Sequence, residues 1–294
     1  MTSGEAPLGV GLLYNPALAD FVATRLDEVD YLGVIPETFW TDWGRDAATR
    51  FVEIGPMMQV IEQAASRRPI VAHGLGLSIA TADHFDEAHL AQIAAWQRRF
   101  HFGWYSEHLS FGRIATLAGG GADAGLALPA PLDAQVLDLL SERVERIRDA
   151  VPVPFLLENN VYYVDLPEQE YTEVAFLNAL TAPRRCGLLL DLHNLYSNAY
   201  NFGFDAMEFI EALDMNAVVE MHIAGGSQIA GMQVDSHAGA CSEPVWALLD
   251  HAVARAPRLR GITFEFHESY FPTLGDDGVS AELARARGVW NKYH

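Results

Sequence analysis

Eight short apolar runs of strand length recur along the chain, and the stretches between them repeatedly carry apolar residues at helical spacing. The runs are GVGLLY from Gly9, YLGVIP from Tyr31, IVAHGLGL from Ile70, FGWYSEHL from Phe102, VPFLLEN from Val153, GLLLDLHN from Gly187, VVEMHIAG from Val218 and GITFEFH from Gly261. Segments such as DEAHLAQIAAWQRRF, LDAQVLDLLSERVERIRDAV and EPVWALLDHAVARA read as amphipathic helices between them. Nearly continuous apolar strands imply a parallel sheet covered on both faces. Eight strand-then-helix units in 294 residues predict an α/β protein, a single (β/α)8 TIM barrel spanning 1–294, in preference to a doubly wound open sheet. No Pro-, Gly- or Ser-rich linker divides the chain, so one domain is expected. The stretch LAGGGADAGLALPAP, residues 117–131, follows the fourth strand, where a loop over an active site is expected.

Composition narrows the function classes. Half of the residues are hydrophobic, enough for a large buried core. The formal charge of −20, with only 19 Lys and Arg, argues against a nucleic-acid partner, which needs clustered cations to displace counterions. It suits a basic peptide, a cation or simple solubility. No basic-then-apolar segment stands near the N-terminus, and no uncharged apolar run approaches the roughly 20 residues that cross a bilayer. A soluble, unexported protein with no membrane partner is the expectation. Cys186 and Cys241 make no disulfide or zinc-knuckle spacing, which fits the reducing cytoplasm.

Against the apolar pattern, polar residues collect where the strands end, which in a TIM barrel is where the chemistry sits. The third run carries His73, the fourth Glu107 and His108, and the fifth Glu158 and Asn159. The sixth carries Asp191, His193 and Asn194, the seventh His222, and the eighth Glu265 and His267. VDSH, beyond the seventh, adds Asp235 and His237. Alternation along a strand is expected to put Asp191 with His193 on one face, Glu265 with His267 on one face, and Glu107 and His108 on opposite faces. Converging carboxylates and imidazoles repel or exchange protons unless a cation sits among them, and a divalent metal is the economical answer. Imidazole plus carboxylate without thiolate suits Fe, Mn or Zn. About eight candidate ligands exceed the need of one ion and suit two or three, spaced on the order of 4 Å as in other two-metal sites.

Taken singly, a histidine at a strand end is more often a hydrogen-bonded core residue than a ligand, so His267 or Glu107 alone decides nothing. The ordered set at one end of successive strands carries the argument. Glu37 in IPETFW is either a further site residue or a capped carboxylate, and Phe39, Trp40, Trp43, Trp104 and Tyr105 fit a core or a rim.

VAHGLGLS, SEHLSF, FLLENN, LLLDLHN, EMHIAGG, DSH and TFEFH, in this order, resemble the multinuclear non-heme iron-dependent oxidase family, long classed as a domain of unknown function and including the methanobactin biosynthesis oxidase. The resemblance runs from about Gly9 past Glu265. It implies a TIM barrel holding two or three irons, mixed Fe(II) and Fe(III), that uses dioxygen to remodel a residue, often Cys, of a ribosomally made precursor peptide. A separate peptide-recognition protein is compatible with it. By position it implies His73, His108, Glu158, Asp191, His222, Asp235, His237 and Glu265 as metal ligands, with Glu158, Asp191 and Asn159 at the reacting centre. His193 stands where the family commonly has Asn or Ser, so it is either an extra ligand or a hydrogen-bond partner of one. Glu107 replaces the usual Asp, and Asn160 and Val161 depart from the usual residues after Glu-Asn. The other readings are a divalent-metal barrel isomerase, an endonuclease IV-like hydrolase, which the missing basic surface opposes, and a metal-binding scaffold without turnover.

Overall fold

A computed structural model describes residues 6–115, 121–164, 166, 168–183 and 185–294. Each apolar run becomes a strand: β1 (Gly9–Leu13), β2 (Tyr31–Val34), β3 (Ile70–Gly74), β4 (Tyr105–His108), β5 (Phe155–Glu158), β6 (Gly187–Asp191), β7 (Val218–Ala224) and β8 (Gly261–Glu265). All neighbours are parallel, and β8 returns to β1 with Gly9 opposite Gly261 and Leu12 opposite Phe264, closing the expected TIM barrel. The outer ring is α1 (Ala19–Arg25), α2 (Gly55–Ala65), α3 (Glu87–Phe100), α4 (Ala134–Ala150), α5 (Glu173–Thr181), α6 (Leu192–Phe202), α7 (Ala206–Ala212), α8 (Glu243–Val253) and α9 (Phe271–Tyr293). Helix starts follow local chemistry. Asp86, Asp133 and Thr172 accept backbone N–H groups at the starts of α3, α4 and α5, each cap worth about 1 kcal/mol. Among the described residues no helix is long and apolar enough to cross a membrane.

Two apolar layers form. The outer one packs alternate strand residues, such as Leu32, Leu157 and Leu190, against the helices. The inner one closes the bottom of the barrel with Tyr31, Val71, Trp104, Leu156 and Leu189. Room for Tyr31 comes from two glycines: a Cβ on Gly11 would lie 2.3 Å from its ring, and one on Gly261 2.4 Å from its hydroxyl. One step of two residues further along the strands, the inner face turns polar, as Val71 gives way to His73, Trp104 to Ser106, Leu156 to Glu158 and Leu189 to Asp191.

β7 keeps this layer in phase by a bulge. Leu188 pairs with Val218 but Leu189 pairs with Glu220, leaving Val219 as the extra residue. Val219 packs with the inner cluster and Glu220 also faces inward, onto Tyr31 and Trp104.

Three excursions leave the C-terminal end of the barrel as antiparallel hairpins: Trp40–Asp42 with Phe51–Glu53, Ser110–Ala115 with Gly121–Pro129, and Ser227–Ile229 with Met232–Val234. The loop expected over 117–131 is therefore largely a strand, because Gly121–Pro129 pairs back onto the extension of β4; residues 117–120 lie outside the described residues.

Candidate metal centre

Strand register assembles the centre. His73 pairs with Ser106, His108 with Glu158, Asp191 with His222, and Glu265 lies opposite Ala224. The side chains then meet across the lumen. His108 Nδ1 is 3.0 Å from Glu158 Oε2, His73 Nε2 is 3.4 Å from the same oxygen, and His222 Nδ1 is 3.9 Å from Glu158 Oε1 and 3.4 Å from Glu265 Oε2. Nearer the mouth, His237 Nε2 is 2.8 Å from Glu265 Oε1 and 3.4 Å from Asp235 Oδ1, while His193 Nε2 is 4.0 Å from Asp235 Oδ1. Ligand atoms of Glu158, Asp191, His222 and Glu265 all fall within 4.8 Å of one another, and those of His73, Glu158 and His222 do likewise. A cavity of about 430 Å³ opens above them, walled in part by Leu13, Tyr14 and Phe266.

Burial shapes the protonation. Burial and the neighbouring carboxylates push Glu158 and Asp191 well above the carboxylate range, since neither ionises readily beside the other. Burial also lowers the imidazoles, His73 well below the usual range and His108 to about 4. His222 and His237 go the other way. For both, burial opposes the charge but is outweighed, by Glu265 and Glu220 for His222 and by Glu265 and Asp235 for His237, which is pushed up to about 10. Their charge in turn holds Glu265 well below the usual range despite its burial.

A cation satisfies what protons cannot. His108 Nδ1, Glu158 Oε2, Asn194 Oδ1, His222 Nδ1 and Asp235 Oδ1 are all buried without a hydrogen-bond partner, although native proteins leave few such groups unpaired. Each can offer a lone pair, and most converge on the same lumen. The donor set therefore fits metal ions, which restore ionised carboxylates and neutral imidazoles. Three neighbours fix the orientation. Ser106 Oγ sits 3.0 Å from His73 Nδ1, freeing Nε2 for the lumen. Asn159 donates to Asp191 O at 2.9 Å and accepts from Asp191 N at 2.7 Å, holding β5 to β6. Glu220 lies 3.4 Å from His222 Nε2.

Residues 8–291 match the family described as RiPP precursor modification enzyme MbnB/TglH/ChrH. The chain belongs to that family. Its curated relatives include a UPF0276 protein of Rhizorhabdus wittichii, 32% identical over 248 residues that cover 84% of this chain and 83% of the relative. Another, from Caulobacter vibrioides, is 29% identical over 280 residues, 95% of this chain and 94% of the relative. Endonuclease IV from Thermus thermophilus superposes with a TM-score of 0.57 at 17% identity, covering 97% of this chain and 99% of that one. D-psicose 3-epimerase from Clostridium cellulolyticum, solved with D-tagatose, gives 0.59 at 10% identity over 97% and 99%. These two likenesses are of fold.

In this MbnB/TglH/ChrH chain the residues picked out from sequence do not all land as the strand periodicity implies. His73, His108, Glu158, Asp191, His222, Asp235, His237 and Glu265 come together. His193 joins them by another route: β6 stops at Asp191, whose carboxylate accepts the Asn194 N–H at 2.5 Å and starts α6, so His193 sits in the first helical turn and shares no strand face with Asp191. It reaches Asp235 from there, with Ser197 Oγ 3.3 Å from its Nε2. His267 likewise shares no face with Glu265. β8 has ended, and its exposed ring caps the short turn Glu268–Tyr270, accepting from Ser269 N at 3.2 Å. Glu107 is the outward member of its pair, buried beside Tyr105 Oη at 2.5 Å, with burial pushing its carboxyl up to about 8. Asn159 spends its amide on the Asp191 backbone, beside the centre. Glu37 is a cap: it accepts from Gly76 N at 2.9 Å and Leu75 N at 3.2 Å and is 2.9 Å from His89 Nε2, holding the loop after His73. Ser106 and Glu220 were not among the sequence candidates. For Glu220 the signal is the Glu-x-His alternation within β7, the same spacing that marks any two residues sharing a strand face.

Proposed function

We propose that the protein is a multinuclear iron-dependent oxidase, one domain over 1–294, that uses dioxygen to modify a residue, often Cys, of a ribosomally made precursor peptide in the cytoplasm. The observation that carries this is the surplus of convergent ligand groups, several of them with an unpartnered atom. Glu158, Asp191, His222 and Glu265 would suffice for one ion, yet His73 and His108 on one side and Asp235, His237 and His193 on the other extend the set beyond it. Two or three ions would account for all of them, and Glu158 and His222, which belong to both close groups, would help to hold more than one. Imidazole and carboxylate donors suit iron, and family membership supplies the peptide as substrate class.

Bound iron would supply the electron transfer to dioxygen and an open position for the substrate thiolate. The chain's own residues do the rest. Ser106 and Glu220 orient His73 and His222, and Asn159 fixes the Asp191 backbone. His222 and His237 give up their protons as the metal enters. Leu13, Tyr14 and Phe266 form an apolar wall that keeps water from the reacting side chain. A separate recognition protein that delivers the peptide fits this reading.

The test is anaerobic purification followed by elemental analysis and Mössbauer spectroscopy. More than one iron per chain is expected, with oxygen consumed only when a Cys-containing peptide encoded beside this gene is supplied. A single zinc, or no metal after reconstitution with ferrous iron, would overturn the oxidase reading. One divalent ion with turnover of a small substrate in the absence of oxygen would instead mark an isomerase or hydrolase on this barrel. Several irons without oxygen uptake would mark a scaffold.

A further inference from the structure

We infer that Glu220 is the positioning residue that makes Nδ1, rather than Nε2, the metal-binding nitrogen of His222. The inference rests on the reading of the lumen as a metal centre. Its origin lies in the bulge at Val219, which turns both Glu220 and His222 inward, two residues apart on one face of β7. Glu220 is 1% exposed, a carboxylate at the level where the apolar plug gives way to the polar layer. An unpaired charge there would be costly, and hydrogen-bonding groups surround it instead. Trp104 Nε1 donates to Oε2 at 2.6 Å and Thr263 Oγ1 donates to Oε1 at 2.6 Å. Tyr31 Oη lies 3.5 Å from Oε1 and 2.7 Å from Thr263 Oγ1, and His222 Nε2 lies 3.4 Å from Oε1.

These contacts leave His222 one orientation. With Nε2 facing an anion, the ring keeps its proton there, because Nε2 has a nearby acceptor and a bare lone pair would face the carboxylate. Nδ1 is then the nitrogen left to a metal once its own proton is released, and it is the atom that points at Glu158 and Glu265 and has no hydrogen-bond partner. A carboxylate behind a metal-bound imidazole both fixes the tautomer and raises the basicity of the ligating nitrogen. A Gln at this position keeps the shape but has one acceptor oxygen instead of two, so either Trp104 Nε1 or the side facing Thr263 and His222 loses its acceptor.

The experiment uses the full chain labelled with 15N-histidine and loaded with Zn(II), a diamagnetic probe. His222 is assigned by the signals missing from His222→Ala. In the wild type, Nδ1 should carry the zinc-bound shift and Nε2 a slowly exchanging proton. Glu220→Gln should weaken zinc binding by about 10–100-fold and erase the protected Nε2–H. Val144→Ala, a buried change on α4 with no place in the centre, controls for stability: it should lower the melting temperature yet keep zinc affinity. Zinc on Nε2 in the wild type overturns the inference, and that reading needs no variant to fold. So does Glu220→Gln binding zinc as tightly as the wild type, or losing affinity no more than Val144→Ala does at equal loss of melting temperature. A wild-type chain that takes up no zinc would overturn the metal centre itself.

Discussion

At the scale of single residues, the centre was legible wherever a charged or imidazole side chain interrupts an apolar run at its end. His73, Glu158, Asp191, His222 and Glu265 each do so, and nothing in a packed strand explains them there. His222→Ala and Asp235→Ala are each expected to lower metal content and thermal stability together, since ligand loss removes binding energy that also holds the folded state. Metal analysis and melting curves on the same samples check this, and unchanged metal in both variants would place the centre elsewhere. Glu220 was not legible, because its meaning comes from donors on β2, on β8 and just before β4 that only the closed barrel brings to it. His193 was half legible. Its type and neighbourhood were right, but its approach from the helix side leaves it 4.0 Å from Asp235 and within reach of Ser197. His193→Asn should drop one metal per chain if His193 is a ligand. If it only braces Asp235, the loss should stay within about 10–100-fold in affinity. Full metal content and full affinity together would exclude both roles.

At the scale of elements, the order of strands and helices followed directly from periodicity, whereas the ends of β6 and β8 did not. Apolar residues continue past Asp191, so periodicity alone extends the strand through His193. What stops it is the carboxylate capping α6, a local hydrogen bond that competes with the sheet ladder. Asp191 thus has two duties that substitution can separate. Asp191→Asn keeps a good helix cap and removes the buried acid, so the metal-free protein should melt at or above the wild-type temperature while binding metal less tightly. Asp191→Ala loses the cap as well, about 1 kcal/mol, and should melt lower than Asp191→Asn. Equal melting of the two would show that the cap contributes nothing.

For the whole molecule, a chain rich in buried ionisable groups should depend strongly on pH when no metal is bound. His237, raised to about 10 by Glu265 and Asp235, contributes stability that is fully present below the unfolded value of about 6.5 and is lost as pH climbs through 10. With 31% of its side chain exposed, solvent screens part of that effect. His222, Glu158 and Asp191 are shifted upward too, so all four groups act in one direction. Chelated protein should therefore melt at progressively lower temperature from pH 7 to 10, whereas loaded protein should change less. Metal uptake near neutral pH should release protons, visible by calorimetry in buffers of different ionisation enthalpy, and a chelated chain with a flat profile would contradict the assignment. One further consequence comes from the floor of the barrel. Tyr31, seated where Gly11 and Gly261 have no side chains, and Trp104 beside it seal the lower end, so among the described residues the lumen is a blind well open at the top. Everything that reaches the bottom has to pass the same rim, and a well of about 430 Å³ has no room for a folded peptide. Under the proposed function a chain end or one tight turn of the peptide would enter, and once seated it would act as a stopper. Small molecules needed below it must then already be inside or slip past it, which makes the order of arrival a property of the architecture.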